Sequence, residues 1–148
     1  MKSIPETRAT RCFLDSNIWL YAFIISAGEH KNTQARAIIE TEHILISAQV
    51  INEVCINLIR KAAFSEQQVQ QVIESFYYRH EVIESGLNVL KTASRLRSRY
   101  QFSFWDSLIV ASALAGEASV VYSENMHNAL VVEDRLRIEN PFASNRSR

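Results

Sequence analysis

The chain reads as an open α/β fold, a mostly parallel sheet of four to five strands covered by helices on both faces. Three observations predict it. Short, near-continuous apolar runs alternate with longer segments of helical period, the pattern of buried parallel strands joined by crossover helices. Glycine occurs three times and proline twice, too few breakers for the many tight turns of a β sandwich. With 148 residues, 47% hydrophobic and 22% charged, the chain can bury one core without help from a disulfide or a metal.

The elements follow in order. RCFL (11–14) is the first strand, and Asp15-Ser16-Asn17, all good N-caps, opens a helix over 16–26. A helix over 32–41 leads to the strand HILI (43–46). The helix over 48–62 carries the apolar stripe Val50, Ile51, Val54, Cys55 and Leu58; that over 66–79 carries Val69, Val72, Ile73 and Phe76. The strand EVI (81–83) precedes a helix over 87–99, and Ser103 followed by Asp106 resembles a capping box opening a helix over 104–116. SVVY (119–122) is the fourth strand and Val131–Val132 a weaker fifth. One domain is expected over 11–142, with flexible polar ends at 1–10 and 143–148.

Sixteen Lys and Arg balance sixteen Asp and Glu, which argues against a protein that coats polyanions by bulk attraction. Cys12 and Cys55 sit in separate apolar runs and read as buried thiols of a reducing compartment, not as a disulfide framework or a zinc site. Residues 1–11 lack the apolar core of a signal peptide, and no run approaches the roughly 18 apolar residues of a membrane span. A cytoplasmic protein without membrane contact is expected.

In open parallel sheets, sites lie beyond the carboxyl ends of the strands. The chain has thirteen Glu but only three Asp, and two of those, Asp15 and Asp106, stand at helix starts of this kind. Capping explains both, but a short, rigid carboxylate also positions a ligand better than a long one. Glu53 falls outside its helix's apolar stripe, where a solvated surface residue would look the same. Glu124 follows the fourth strand. Four carboxylates at one sheet edge would repel one another unless a cation neutralised them, and an all-oxygen set suits Mg²⁺ or Mn²⁺ over zinc. Neither GxGxxG nor GxxxxGK[ST] is present, so the usual phosphate cradles are missing. Metal-assisted phosphodiester hydrolysis is the reaction class that fits best.

The segments FLDSNIWLYAF (13–23), LISAQVINEV (45–54), FSFWDSLIVASAL (102–114) and VVYSENMHNALVVEDRLRIENPF (120–142) together resemble the PIN-domain nucleases, particularly the VapC-type toxins of toxin–antitoxin pairs. The resemblance implies a three-layer α/β/α sandwich whose acidic pocket holds Mg²⁺ or Mn²⁺ and cleaves single-stranded or structured RNA. By position, Asp15, Glu53 and Asp106 match three acids of that pocket, and Asn17 matches the polar residue following the first, with Ser16 between. Glu124 falls where the family places its fourth acid, but relatives often read Ser-Glu-Asp where this chain reads Ser123-Glu124-Asn125. On this reading Asp15 and Asp106 ligate the metal, directly or through water, while Glu53 and Glu124 complete the shell or orient the attacking water. A homodimer and a cognate antitoxin seated in an apolar groove are further implications. The altered fourth segment motivates an alternative, an inactive PIN-like module that only binds RNA or a protein. A phosphoacceptor receiver domain is set aside, because no Lys follows Lys91.

RNA also needs a basic surface. Lys91, Arg95 and Arg99 recur at i, i+4, i+8 and share one helix face, either as phosphate ligands or as a solvated face. Tyr100 and Trp105 could stack on a base, although a core position beside Phe104 is the expected role of Trp105.

Overall fold

The RCFL run forms β1 (Arg11–Leu14), with Cys12, Phe13 and Leu14 fully buried, as suits a strand covered on both faces. The structure, a computed structural model, describes residues 9–24 and 28–143. β2 (His43–Ser47) runs parallel to β1 on one side and β4 (Val120–Tyr122) parallel on the other. β3 (Glu81–Ile83) extends the sheet beyond β2, while β6 (Leu136–Glu139) and then β5 (Val131–Val132) extend it beyond β4. The order is β3-β2-β1-β4-β6-β5, and only the β5–β6 pair is antiparallel.

Six strands thus replace the expected four to five. The addition, β6, buries Leu136 and Ile138 but exposes Arg137. That one-sided alternation belongs to a strand near the sheet edge, and an expectation built on continuous apolar runs passes over it.

Among the described residues six helices flank the sheet: α1 (Ser16–Phe23), α2 (Glu29–Thr41), α3 (Ala48–Ala62), α4 (Glu66–Arg79), α5 (Leu87–Tyr100) and α6 (Phe104–Ala115). α1 packs on α2 and α3, and α3 on α4; α5 packs on α6, which lies against β2, β3 and β4. The result is the expected three-layer α/β/α arrangement. α1 ends at Phe23, short of the expected 26, and 25–27 lie outside the described residues. Of the expected flexible ends, 1–8 and 144–148 also lie outside them. Thr10 is tied in, its N–H donating to Glu42 Oε1 at 2.8 Å and its carbonyl accepting from His43 N–H at 3.0 Å.

Local chemistry sets the helix ends. Ser47, Ser65 and Ser103 cap α3, α4 and α6 through their hydroxyls, and Ser65 forms a full capping box with Gln68. α6 is buried from Ile109 to Leu114, so it packs almost all round. Gly116 caps its end, where a Cβ would stand 2.3 Å from Leu45 Cδ2 and 2.7 Å from Ile83 Cδ1, so a side chain would crowd β2 and β3. The Arg11 guanidinium donates to the Gly116 carbonyl and to Glu81, joining β1, the end of α6 and β3 at the edge of the sheet opposite the strands' carboxyl ends.

Both cysteines are buried and unpaired, and burial pushes the Cys12 thiol up to about 12, far from thiolate chemistry. Among the described residues no helix is long and apolar enough to cross a membrane. The chain leaves β1 toward β2 on one side, and β4 later joins β1 on the other. That reversal opens a crevice at the carboxyl ends of β1 and β4.

Candidate functional site

Asp15 sits in this crevice. It is the residue after β1 and the N-cap of α1, in extended conformation (φ −68°, ψ 163°). Its backbone N–H donates to the Tyr122 carbonyl at 3.0 Å, which sews the end of β1 to the end of β4. Its carboxylate is 7% exposed and accepts two bonds, from Ser16 N–H at 2.7 Å and from the Ser123 hydroxyl at 2.7 Å. Ser123 in turn accepts Asn125 N–H at 3.3 Å, and Asn17 Oδ1 accepts Glu124 N–H at 3.4 Å. Of the four supporting residues expected from the sequence, Ser16 and Ser123 bond Asp15 directly, Asn17 holds the loop after β4, and Asn125 takes part through its backbone N–H.

Glu53, on the second turn of α3, and Asp106, on the first turn of α6, complete an acidic trio around Asp15. Burial is the main reason each of the three holds its proton more tightly than an ordinary carboxyl. Repulsion adds to it: Asp106 raises Asp15, and both Asp15 and Asp106 raise Glu53. Opposing bonds from Ser123 and Ser16 to Asp15, and from the Ser103 side chain to Asp106, only partly offset this. Asp106 does serve α6 as a first-turn acid, its N–H bonding Ser103 Oγ at 3.1 Å. Capping alone leaves the mutual repulsion of the trio unexplained.

Glu124 behaves differently, which corrects the expectation of four crowded acids. Its carboxylate accepts from Tyr21 Oη at 2.6 Å and pairs with Lys31 Nζ at 2.5 Å. Burial works against its charged form, but the Lys31 and Tyr21 bonds overcome that and hold its carboxyl below the ordinary value. Glu124 already has its cation; among the described residues Asp15, Glu53 and Asp106 enter no ion pair, although His127 eases the charge on Asp106. Tyr21 lies one turn beyond Asn17 on α1, so sequence spacing could have suggested it. Lys31 reaches Glu124 from α2, and no local pattern announces that contact.

Among the described residues, no three acidic, histidine or cysteine side chains are gathered tightly enough to grip an ion by themselves. The donor chemistry nevertheless fits a hard dication. The three side chains are all oxygen ligands, their repulsion is only partly offset, and Mg²⁺ is commonly held by one or two carboxylates with water filling its remaining positions.

The basic face differs from expectation. Arg95 forks onto Glu133 with bonds of 2.9–3.2 Å, and Arg99 reaches the same carboxylate at 3.8 Å. Both are thereby committed to the β5–β6 turn, while Lys91 stays exposed. Arg97, set aside by the helical spacing, instead turns toward the acid-bearing end of α6 and donates to Ser107 Oγ at 2.8 Å. Trp105 is not a core residue: it and Phe104 are 60% and 58% exposed.

Away from the acids, α1, α2 and α4 enclose a groove of about 250 Å³ lined by Trp19, Phe23, Ile39, Val72 and Phe76. Arg36, Glu40 and Arg79 also line it. The indole N–H of Trp19 is buried there with no hydrogen-bond partner.

A family model for the PIN domain matches residues 12–130. Among solved structures, the chain is similar to one of a toxin–antitoxin complex from Klebsiella pneumoniae, at 17% identity and a TM-score of 0.67, covering 88% of this chain and 98% of that one. It is similar to Mycobacterium tuberculosis VapC20, described as a Sarcin-Ricin loop cleaving toxin, at 17% identity and a TM-score of 0.61, covering 76% and 88%. It also resembles a chain of Rickettsia felis VapBC2 bound to a DNA fragment from their promoter, at 19% identity and a TM-score of 0.62, covering 88% and 100%. No curated protein sequence matches the chain.

Proposed function

The chain belongs to the PIN domain family, and from that premise we propose that it is a divalent-metal-dependent endoribonuclease, the toxin of a VapC-type toxin–antitoxin pair acting in the cytoplasm. The observation that carries this reading is the trio Asp15, Glu53 and Asp106: three carboxyls at one crevice with raised proton affinity and no ion pair among the described residues, beside a fourth, Glu124, already neutralised. A structural ion-pair network has the opposite signature, with acids held below their ordinary values.

Asp15 and Asp106 are the residues that would hold Mg²⁺ or Mn²⁺, and the ion would supply positive charge to offset the negative charge developing on the phosphodiester oxygens. Asp15 is fixed for this by Ser16 and Ser123 and cannot swing away from the crevice. Glu53, half-buried and proton-hungry, accepts the proton of the attacking water. Glu124, through Lys31 and Tyr21, holds the loop after β4 against α1 and keeps Ser123 on Asp15. The loss of an acid at Asn125 then costs a loop side chain but leaves the trio whole.

The partner proposed for the groove of α1, α2 and α4 is a segment of the cognate antitoxin. Apolar walls and charged rims suit a peptide that offers apolar side chains flanked by charged ones. The Klebsiella protein is itself described as a toxin–antitoxin complex. A homodimer is part of the same proposal.

Incubation of the purified protein with cellular RNA tests the activity. Mg²⁺ gives discrete fragments, EDTA abolishes them, and excess Mg²⁺ restores them. Equal degradation under all three conditions, or none with Mg²⁺ or Mn²⁺, overturns the proposal.

A further inference from the structure

Most of α6 is buried, yet it begins with the two largest rings it carries standing in solvent. Phe104 and Trp105 lie edge to face with ring centroids 5.9 Å apart and interplanar angle 79°. Packing does not demand them there, since the buried stretch of the helix starts beyond them at Ser107. Exposed aromatics beside a charged site are characteristic of a recognition surface more than of a solvated helix end.

Arg97 makes the pair more specific. Its guanidinium carbon lies 4.2 Å from the centroid of the Phe104 ring, and Nη1 donates to Ser107 Oγ, whose own proton goes to the Phe104 carbonyl at 2.6 Å. The cation is thus clamped from two directions against the first turn of α6. Unlike Arg95 and Arg99, it enters no ion pair among the described residues. A guanidinium has five N–H donors, and the Ser107 bond leaves others available for an anion. Arg97 bonds Ser107 and Asp106 N–H bonds Ser103 Oγ, so rings, cation and one acid of the trio all meet at the first turn of α6.

From this juxtaposition we propose that Phe104, Trp105 and Arg97 form a subsite that stacks one unpaired nucleobase on the Trp105 ring and takes an adjacent phosphate on Arg97. The subsite rests on the nuclease reading and gives it a substrate class: RNA with a base free of pairing near the cleaved bond. A base face inside a duplex is already covered by its neighbours, whereas an unstacked base can lie on an aromatic ring. A purely apolar protein partner would use the rings but leave the clamped guanidinium uncompensated. Charge complementarity therefore selects a nucleotide.

The test uses the full chain carrying Asp15→Asn, so that RNA survives the measurement, with a fluorescein-labelled 12-nucleotide single strand and the same strand in a duplex. Trp105→Ala weakens single-strand binding by about tenfold, Trp105→Phe restores most of it, and duplex binding does not change. Single-strand binding also quenches Trp105 emission, while buried Trp19 serves as the internal reference. Arg97→Gln flattens the salt dependence of binding by about one phosphate contact. Light scattering shows the same oligomeric state for every variant. Equal affinity of Trp105→Ala and the parent overturns the subsite while leaving the nuclease reading intact. A Trp105→Ala loss that coincides with a change of oligomeric state overturns it too and assigns the face to a second copy. Absence of RNA binding in the Asp15→Asn chain, together with absence of cleavage by the unsubstituted protein, overturns both proposals.

Discussion

Asp15→Asn abolishes RNA cleavage, by roughly a hundredfold or more, and leaves the protein as stable as its parent at neutral pH. The first effect follows from removing the best-fixed of the three negative charges offered to the cation, whose contribution to the transition state is about several kcal/mol. The second follows from the local hydrogen bonding. Asn also caps helices, so its Oδ1 still accepts Ser16 N–H, while its amide faces the Ser123 hydroxyl, which can turn from donating to accepting. Loss of the charge also relieves the burial and repulsion that make the Asp15 carboxylate costly. Asp15→Ala differs in the informative direction, since it removes the cap as well and loses about 1 kcal/mol of stability. Cleavage of a labelled RNA followed beside thermal melts of the three proteins checks this. Parent-like cleavage by Asp15→Asn would remove Asp15 from the chemistry.

The acidic trio also makes stability depend on pH and on divalent cations in a predictable sense. Folding raises the proton affinity of Asp15, Glu53 and Asp106, so each favours the folded state when protonated. That contribution is fully present below the ordinary carboxylate range and is lost as pH rises through the raised folded values. His80 acts oppositely: burial, with Arg79 and His43 nearby, lowers its proton affinity, so its contribution falls as pH drops. Glu81 and Glu124, held below their ordinary values, likewise favour the higher pH. The trio is therefore read by difference. Relative to the parent, Asp106→Asn gains melting temperature at neutral pH and loses that gain near pH 4. Mg²⁺ stabilises the parent by about 4 °C at neutral pH when present at roughly ten times its dissociation constant, and much less near pH 4, where protons occupy the site. A Mg²⁺ shift of equal size in Asp106→Asn would show that the ion binds elsewhere.

Much of the architecture was legible because the signals were local. RCFL and HILI are buried on both faces and read as continuous apolar runs, and serine caps open three of the helices. The β5–β6 hairpin was harder. Two of its three turn residues, Glu133 and Asp134, adopt positive φ, 51° and 61°, the geometry for which glycine and asparagine are the usual signal. Tertiary contacts hold that turn instead: Tyr100 Oη accepts Glu133 N–H at 2.9 Å, and Arg95 and Arg99 converge on the Glu133 carboxylate. The same contacts add to the helical reading of the basic residues. It placed Lys91, Arg95 and Arg99 on one face but could not show that an acid from a distant hairpin waits there.

The site divides along the same line. Asp15, Asp106, Ser16, Asn17, Ser123 and Asn125 lie at or near ends of strands or starts of helices, where topology alone brings them together. Glu53 was indistinguishable from a surface residue until α3 was packed beside α1. Whether Glu124 is free or neutralised depends on Lys31, which is 93 residues away in the chain. Trp105 was expected in the core on its apolar character, yet it stands in the first turn of α6, before the stretch from Ile109 to Leu114 that enters the core.

Binding of Mn²⁺ followed by the loss of its free paramagnetic resonance signal examines the trio without reference to any RNA. At neutral pH the unsubstituted protein binds Mn²⁺ saturably, Mg²⁺ competes, and both Asp15→Asn and Asp106→Asn abolish the binding while remaining folded. Saturable binding that survives in both variants, or no binding by the parent at millimolar Mn²⁺, would contradict the assignment of Asp15, Glu53 and Asp106 as a cation site.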